Sequence, residues 1–208
     1  MAFRVAVLIS GEGSNLQALL DTVHGEAVEV VGVASSRDGA RGLERARAAG
    51  VEARVFAIAD HDDRAARDRA LGDWLEGLEV DLVVLAGFME LLGPDFIARF
   101  ERRILNVHPS LLPAFPGIGA IEQALAYGVR VMGVTVHFVD DGVDTGPVVL
   151  QESFSLFPYP RGIAEVEERI HEVEHRLLPR AVKLIAEGRV RSDPGNPRLL
   201  QIEDGERD

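Results

Sequence analysis

The sequence predicts a three-layer α/β fold: a mixed, mainly parallel sheet with helices on both faces and an antiparallel strand pair at its C-terminal side. Three observations predict it. Short apolar runs alternate with amphipathic helical patterns from Val5 to Tyr127, as expected of strands joined by crossover helices. The runs Val5–Ile9 and Val80–Gly87 are apolar nearly throughout, which suits central strands covered on both faces. Beyond Gly128 the alternation stops. Val129–Val139 and Val148–Phe157 are strand-like with no helix between them, so they should pair antiparallel.

Composition narrows the possibilities. The 208 residues, 47% of them apolar, suffice for one large domain or two small ones. A net charge of -12 and the lack of a basic stripe argue against nucleic acid as a partner. The same charge gives an anionic substrate no global attraction, so any anion site must be local. The absence of cysteine excludes disulfides and thiolate metal sites. Met1-Ala2-Phe3-Arg4 runs straight into a strand with no signal-peptide pattern, and no apolar run is long enough to span a membrane. A soluble, cytoplasmic chain is expected.

In chain order, Val5–Ile9 is followed by the turn Ser10-Gly11-Glu12-Gly13-Ser14-Asn15 and the helical pattern Leu16, Leu19, Leu20, Val23. Backbone N–H groups at such a helix start bind anions, phosphate above all. The spacing is neither GxGxxG nor a P-loop. A plain βα turn with Ser14 or Asn15 as helix cap explains it equally well. Val28–Ala34 reads as a strand, Arg41–Ala49 as a helix closed by Gly50, and Arg54–Ile58 as a third strand. Asp60–Asp63 is an acidic N-cap region for a helix over Arg64–Leu78, whose buried stripe is Leu71, Trp74, Leu75 and Leu78. Arg64, Arg67 and Arg69 fall off that stripe and read as solvated surface.

Phe88-Met89-Glu90-Leu91-Leu92 follows the central strand Val80–Gly87. Exposed apolar residues at that end would make a wall for a flat aromatic ligand; otherwise they pack beneath the next helix, Asp95–Phe100. The next strand ends in Asn106-Val107-His108-Pro109-Ser110. Alternation puts Asn106 and His108 on one face, and Pro109 stops the strand. In open α/β sheets ligands bind at this end. A polar strand terminus entering a turn is the plain alternative. The Pro- and Gly-containing stretch Pro109–Gly119 is a candidate mobile loop, and a helix follows over Ile121–Tyr127.

Asp140–Pro147 joins the last two strands. Its aspartates lack the spacing and closing Glu of a calcium loop. His137, with Thr135 and Val139 on its face, reads as a satisfied strand histidine. A long helix over Ile163–Glu187 buries Val166, Ile170, Val173 and Leu177, should kink at Pro179, and carries Glu174 and His175 beside its stripe. The tail from Ser192 is polar and expected to be loosely ordered, although Leu199, Leu200 and Ile202 could dock.

Several of these segments together resemble the phosphoribosylglycinamide formyltransferases, folate-dependent members of the formyltransferase family. They are Val7–Gln17, Leu85–Met89, Leu105–Pro113, Val136–Val139 and Asp140–Pro147, and the likeness runs in order from about Val5 to Glu187. It implies a Rossmann-like single domain over residues 1–190, with the ribonucleotide phosphate side up to about residue 100 and the catalytic and folate side over 101–190. Residues 191–208 are left as a polar tail. It implies transfer of a formyl group from the co-substrate 10-formyltetrahydrofolate to the amine of glycinamide ribonucleotide, without a metal, by a monomer or homodimer.

The resemblance makes Asn106, His108 and Asp144 the catalytic trio. It puts the ribonucleotide phosphate on Gly13, Ser14 and Asn15, and the ribose near Glu174. It puts the folate against Phe88, Met89, Glu90, Leu91, Leu92, Asn106, Val139, Asp140, Asp141, Gly142, Val143 and Asp144. Leu92, Ile104 and Val139 supply apolar walls, and Arg64 lies near the folate tail. Two departures stand out. Glu90 replaces a basic residue of many relatives, and Gly119 and Ile121 stand where many relatives place histidines. A formyl-folate hydrolase, a transferase for another amine, and a non-catalytic nucleotide-binding module are the rival readings. Length and the Gly-Ser-Asn turn count against the hydrolase, and the complete trio counts against the binding module.

Overall fold

The structure, a computed structural model, describes residues 2–203. Its main sheet has seven strands: β1 Phe3–Ile9, β2 Val28–Ser35, β3 Glu52–Val55, β4 Leu82–Leu85, β5 Ile104–His108, β6 Val131–Phe138 and β7 Val148–Ser155, in the order β3-β2-β1-β4-β5-β6-β7. β1 to β5 pair in parallel, whereas β6 and β7 are antiparallel. The predicted mixed, mainly parallel sheet and its antiparallel pair are therefore present. The chain divides into two compact units, Met1–Asn106 and Val107–Asp208.

In the first unit, Val5 to Ile9 of β1 and Leu82 to Leu85 of β4 are buried without interruption. A strand buried at every residue is covered on both faces, because successive side chains point to opposite sides. The helices here are α1 Ser14–Thr22, α2 Arg41–Ala48, α3 Arg64–Gly77 and α4 Pro94–Arg99. α1 buries Leu16 and Leu19, and α3 buries Leu71, Trp74 and Leu75, as the periodicity predicts. Asp63 caps α3 by accepting from Ala66 N at 2.7 Å. The third strand is displaced from its predicted place: β3 ends at Val55, and Ile58–Asp60 is a turn of 3-10 helix.

In the second unit, α5 Ala120–Tyr127 is closed by Gly128 in the left-handed conformation. The helix α6 Ile163–Ala186 continues through Pro179. It packs its buried stripe Val166, Ile170, Val173 and Leu177 on β6 and β7. The predicted loose tail is instead a hairpin of β8 Val190–Asp193 and β9 Asn196–Ile202. Asp193 explains it: its Oδ1 accepts from Gly195 N at 2.8 Å and Asn196 N at 3.0 Å, so Asp193-Pro194-Gly195-Asn196 is a side-chain-stabilised turn. No helix among the described residues is long and apolar enough to cross a membrane.

Candidate active site

β5 ends in His108 at the C-terminal end of its strand, and Asn106 precedes it on the same face. His108 is 5% exposed. Its Nδ1 lies 3.3 Å from Asp144 Oδ2, and its Nε2 donates to Phe115 O at 2.9 Å. The other oxygen of Asp144 lies 3.5 Å from His137 Nε2. Asp144 also accepts from Gly117 N at 2.8 Å. One carboxylate thus sits between two imidazoles and a backbone amide. Burial acts to raise the Asp144 carboxyl. The hydrogen bonds from His137 and Gly117, with the nearby His108 and His137 rings, outweigh it and hold the group at about 2. The backbone of Asp144 is left-handed, with φ 53, a strained choice for a non-glycine residue that belongs with functional sites.

His137 is the residue that the sequence reading missed. Its Nδ1 donates to Phe138 O at 2.8 Å while Nε2 faces Asp144. It is a satisfied histidine, but one satisfied by the site's carboxylate. Alternation along β6 shows which face it occupies, not which distant side chain meets it. Arg198 of the hairpin was missed as well. It donates to Thr145 O, next to Asp144. Within the same loop, Asp140 Oδ1 accepts from Gly142 N at 3.1 Å and Thr145 Oγ1 at 2.6 Å. Asp141, Gly142 and Val143 are exposed, and Val139 is half-buried.

The segment after His108 is pinned at its start. Thr135 Oγ1 donates to Ser110 O at 2.7 Å and accepts from Leu112 N at 3.1 Å, and Gln151 Nε2 donates to Leu112 O at 2.9 Å. Its later half is tied to His108 through Phe115 O and to Asp144 through Gly117 N.

The turn after β1 differs from expectation in its cap. Gly13, at φ 69, holds the N-cap position of α1, which has no side-chain cap hydrogen bond; Ser14 and Asn15 are the first helical residues. The turn is braced by α2: Gly42 N donates to Gly11 O at 3.1 Å and Arg45 Nε to Glu12 O at 2.9 Å. Arg37 donates to Ser10 O, and Arg41 pairs with Glu12 at 3.2 Å. Three arginines therefore stand beside the positive end of α1, one of them, Arg41, paired with Glu12.

In the loop after β4, Met89 and Leu91 are exposed rather than packed beneath α4. Phe88, Glu90 and Leu92 are half-buried. Ile104, expected to line a ligand wall, is instead 0% exposed in the sheet core and offers no surface. Arg67, read as solvated, is also 0% exposed. Arg64, the first residue of α3, is exposed. On α6, Glu174 is 6% exposed.

An imidazole–carboxylate pair at the C-terminal end of a parallel strand is the equipment of an α/β enzyme that moves a proton beside a bound small molecule. Comparison with known proteins sharpens this. The chain matches the Formyl transferase family over residues 3–182, and it belongs to that family. It is 42% identical over 190 residues to a phosphoribosylglycinamide formyltransferase of Haemophilus influenzae, covering 90% of this chain and 89% of that one. It is 44% identical over 192 residues to the trifunctional purine biosynthetic protein adenosine-3 of Bos taurus, covering 90% of this chain but 19% of that longer one. The crystal structure of glycinamide ribonucleotide transformylase 1 from Symbiobacterium toebii is similar with a TM-score of 0.92 and 46% identity, over 98% of this chain and 95% of that one.

Proposed function

We propose that this chain transfers the formyl group of 10-formyltetrahydrofolate to the amine of glycinamide ribonucleotide, giving formylglycinamide ribonucleotide and tetrahydrofolate, in purine biosynthesis. The family and the names of its relatives support the activity. The single observation that carries the chemistry is Asp144, held between His108 and His137.

The amine attacks the formyl carbon, a new C–N bond forms, and the carbonyl oxygen becomes an oxyanion. The Asn106 side-chain N–H and an N–H of His108 stabilise it. Removing one such donor costs about 3–4 kcal/mol in comparable sites. The bond from the formyl carbon to the folate nitrogen then breaks. The proton lost by the amine reaches that nitrogen through His108, directly or by way of water. Asp144 fixes the ring: with Nδ1 on the carboxylate, Nε2 is left to serve the reacting atoms. In this structure Nε2 donates to Phe115 O, and in the substrate complex it exchanges that carbonyl for substrate. The ribonucleotide phosphate is assigned to the turn Gly13–Asn15 and the ribose to Glu174. The folate is assigned to Phe88–Leu92 and Val139–Asp144, with its tail toward Arg64.

His108→Ala tests the assignment. Transfer should be abolished while both substrates still bind, as read by single-turnover kinetics and by equilibrium titration. Turnover equal to that of the parent would overturn the role of His108.

A further inference from the structure

The loop Phe88–Gly93 is held only in part by its own side chains. Two of its four large apolar residues, Met89 and Leu91, are 71% and 62% exposed, while Phe88 and Leu92 are half-buried. Its backbone is nevertheless tied at every second residue. Met89 N donates to Ser10 Oγ at 2.8 Å, Leu91 O accepts from Arg67 Nη2 at 3.2 Å, and Gly93 N donates to Asp68 Oδ2 at 2.7 Å. Two of the three ties come from adjacent charged residues of α3. Arg67 is 0% and Asp68 5% exposed. Their ion pair measures 2.7 Å between Nε and Oδ1, and the guanidinium carbon lies 5.6 Å from the centre of the Phe88 ring.

Stability alone is a poor reason for such a pair. Two buried charges lose their hydration, and apolar residues of similar volume often serve a fold as well or better. Nor is this pair optimised: Arg67 Nη1 has no hydrogen-bond partner among the described residues. What the pair does, and apolar residues cannot, is donate to one loop carbonyl and accept from one loop amide.

We propose that Arg67 and Asp68 are positioning residues that hold the loop Phe88–Gly93 in the shape that receives the flat ring of the folate. The proposal rests on the reading of that loop as a folate wall. Neither residue touches the ligand; each acts through the loop backbone.

The test uses Arg67→Met, Asp68→Leu, the double variant and Asp68→Asn in the full chain. Amide hydrogen exchange is followed across residues 86–93, with steady-state kinetics in both substrates. The expected result is faster exchange confined to the loop. It comes with a rise of about tenfold in KM for the folate, while kcat and KM for the ribonucleotide stay within about twofold. The double variant keeps the parent's Tm. Asp68→Asn retains an oxygen for Gly93 N and recovers most of the folate affinity. Parent-like exchange in the loop would overturn the proposal. So would a fall in Tm with both KM values rising together, the mark of a merely structural pair. Faster loop exchange with an unchanged folate KM would overturn the assignment of this loop to folate, a failure distinct from loss of positioning.

Discussion

Asp144 shows how one side chain can carry several demands. Its carboxyl is lowered from 3.8 to about 2. A carboxylate whose folded value lies below its unfolded value adds stability that is complete above the unfolded value and is lost as pH falls through the folded one. The window is therefore about pH 4 down to about pH 2, and the contribution is about 2 kcal/mol. Asp144→Asn should flatten the acid limb of the stability curve over that window, measured by urea unfolding at a series of pH values. An acid limb identical to the parent's would contradict the geometry. The residue scale is also where the sequence was least informative. Asn106 and His108 could be placed on one strand face by alternation, and Asp144 came from family resemblance. His137 was read rightly as satisfied but without its partner, and Arg67 was misread as solvated, for one reason: strand alternation and helical periodicity report a face, not a partner. The partner of His137 lies seven residues ahead in a loop, and those of Arg67, Leu91 O and the Phe88 ring, lie more than twenty residues ahead in another.

At the scale of elements, the turn between β1 and α1 is set by backbone geometry more than by capping. Gly13 combines φ 69 with a close approach, since a Cβ there would lie 2.7 Å from Gly42 Cα. Gly13→Ala should therefore cost about 2 kcal/mol, a fall of roughly 4–8 °C in Tm, and raise KM for the ribonucleotide. Gly25→Ala is the control: Gly25 has φ 76 but nothing within 4 Å of a Cβ, so it carries the strain without the clash and should leave that KM unchanged. A KM for Gly13→Ala equal to the parent's would detach the turn from phosphate binding. Elements with strong periodicity were legible in the sequence, among them β1, β4, α3 and α6. The hairpin β8–β9 was not, because none of its residues is fully buried and the apolar ones, Val190, Leu199, Leu200 and Ile202, form no buried stripe that a pattern could reveal. Its turn, Asp193-Pro194-Gly195-Asn196, held the only local signal.

For the whole molecule, net charge and fold class were readable at once, while the division of labour needed the structure. The unit Met1–Asn106 carries the glycine turn with its three arginines and the loop held by Arg67 and Asp68. The unit Val107–Asp208 carries His108, His137 and Asp144. An acidic chain that handles an anionic substrate has to supply its cations locally; we propose that Arg37 and Arg45 beside α1 do so, while Arg41 is paired with Glu12. The central claim is formyl transfer to a ribonucleotide amine. Its most direct test is folate deformylation, followed by absorbance with 10-formyltetrahydrofolate present and glycinamide ribonucleotide either added or withheld. Turnover that requires the ribonucleotide is the predicted result. Deformylation at the same rate without it would contradict the account and make the chain a hydrolase.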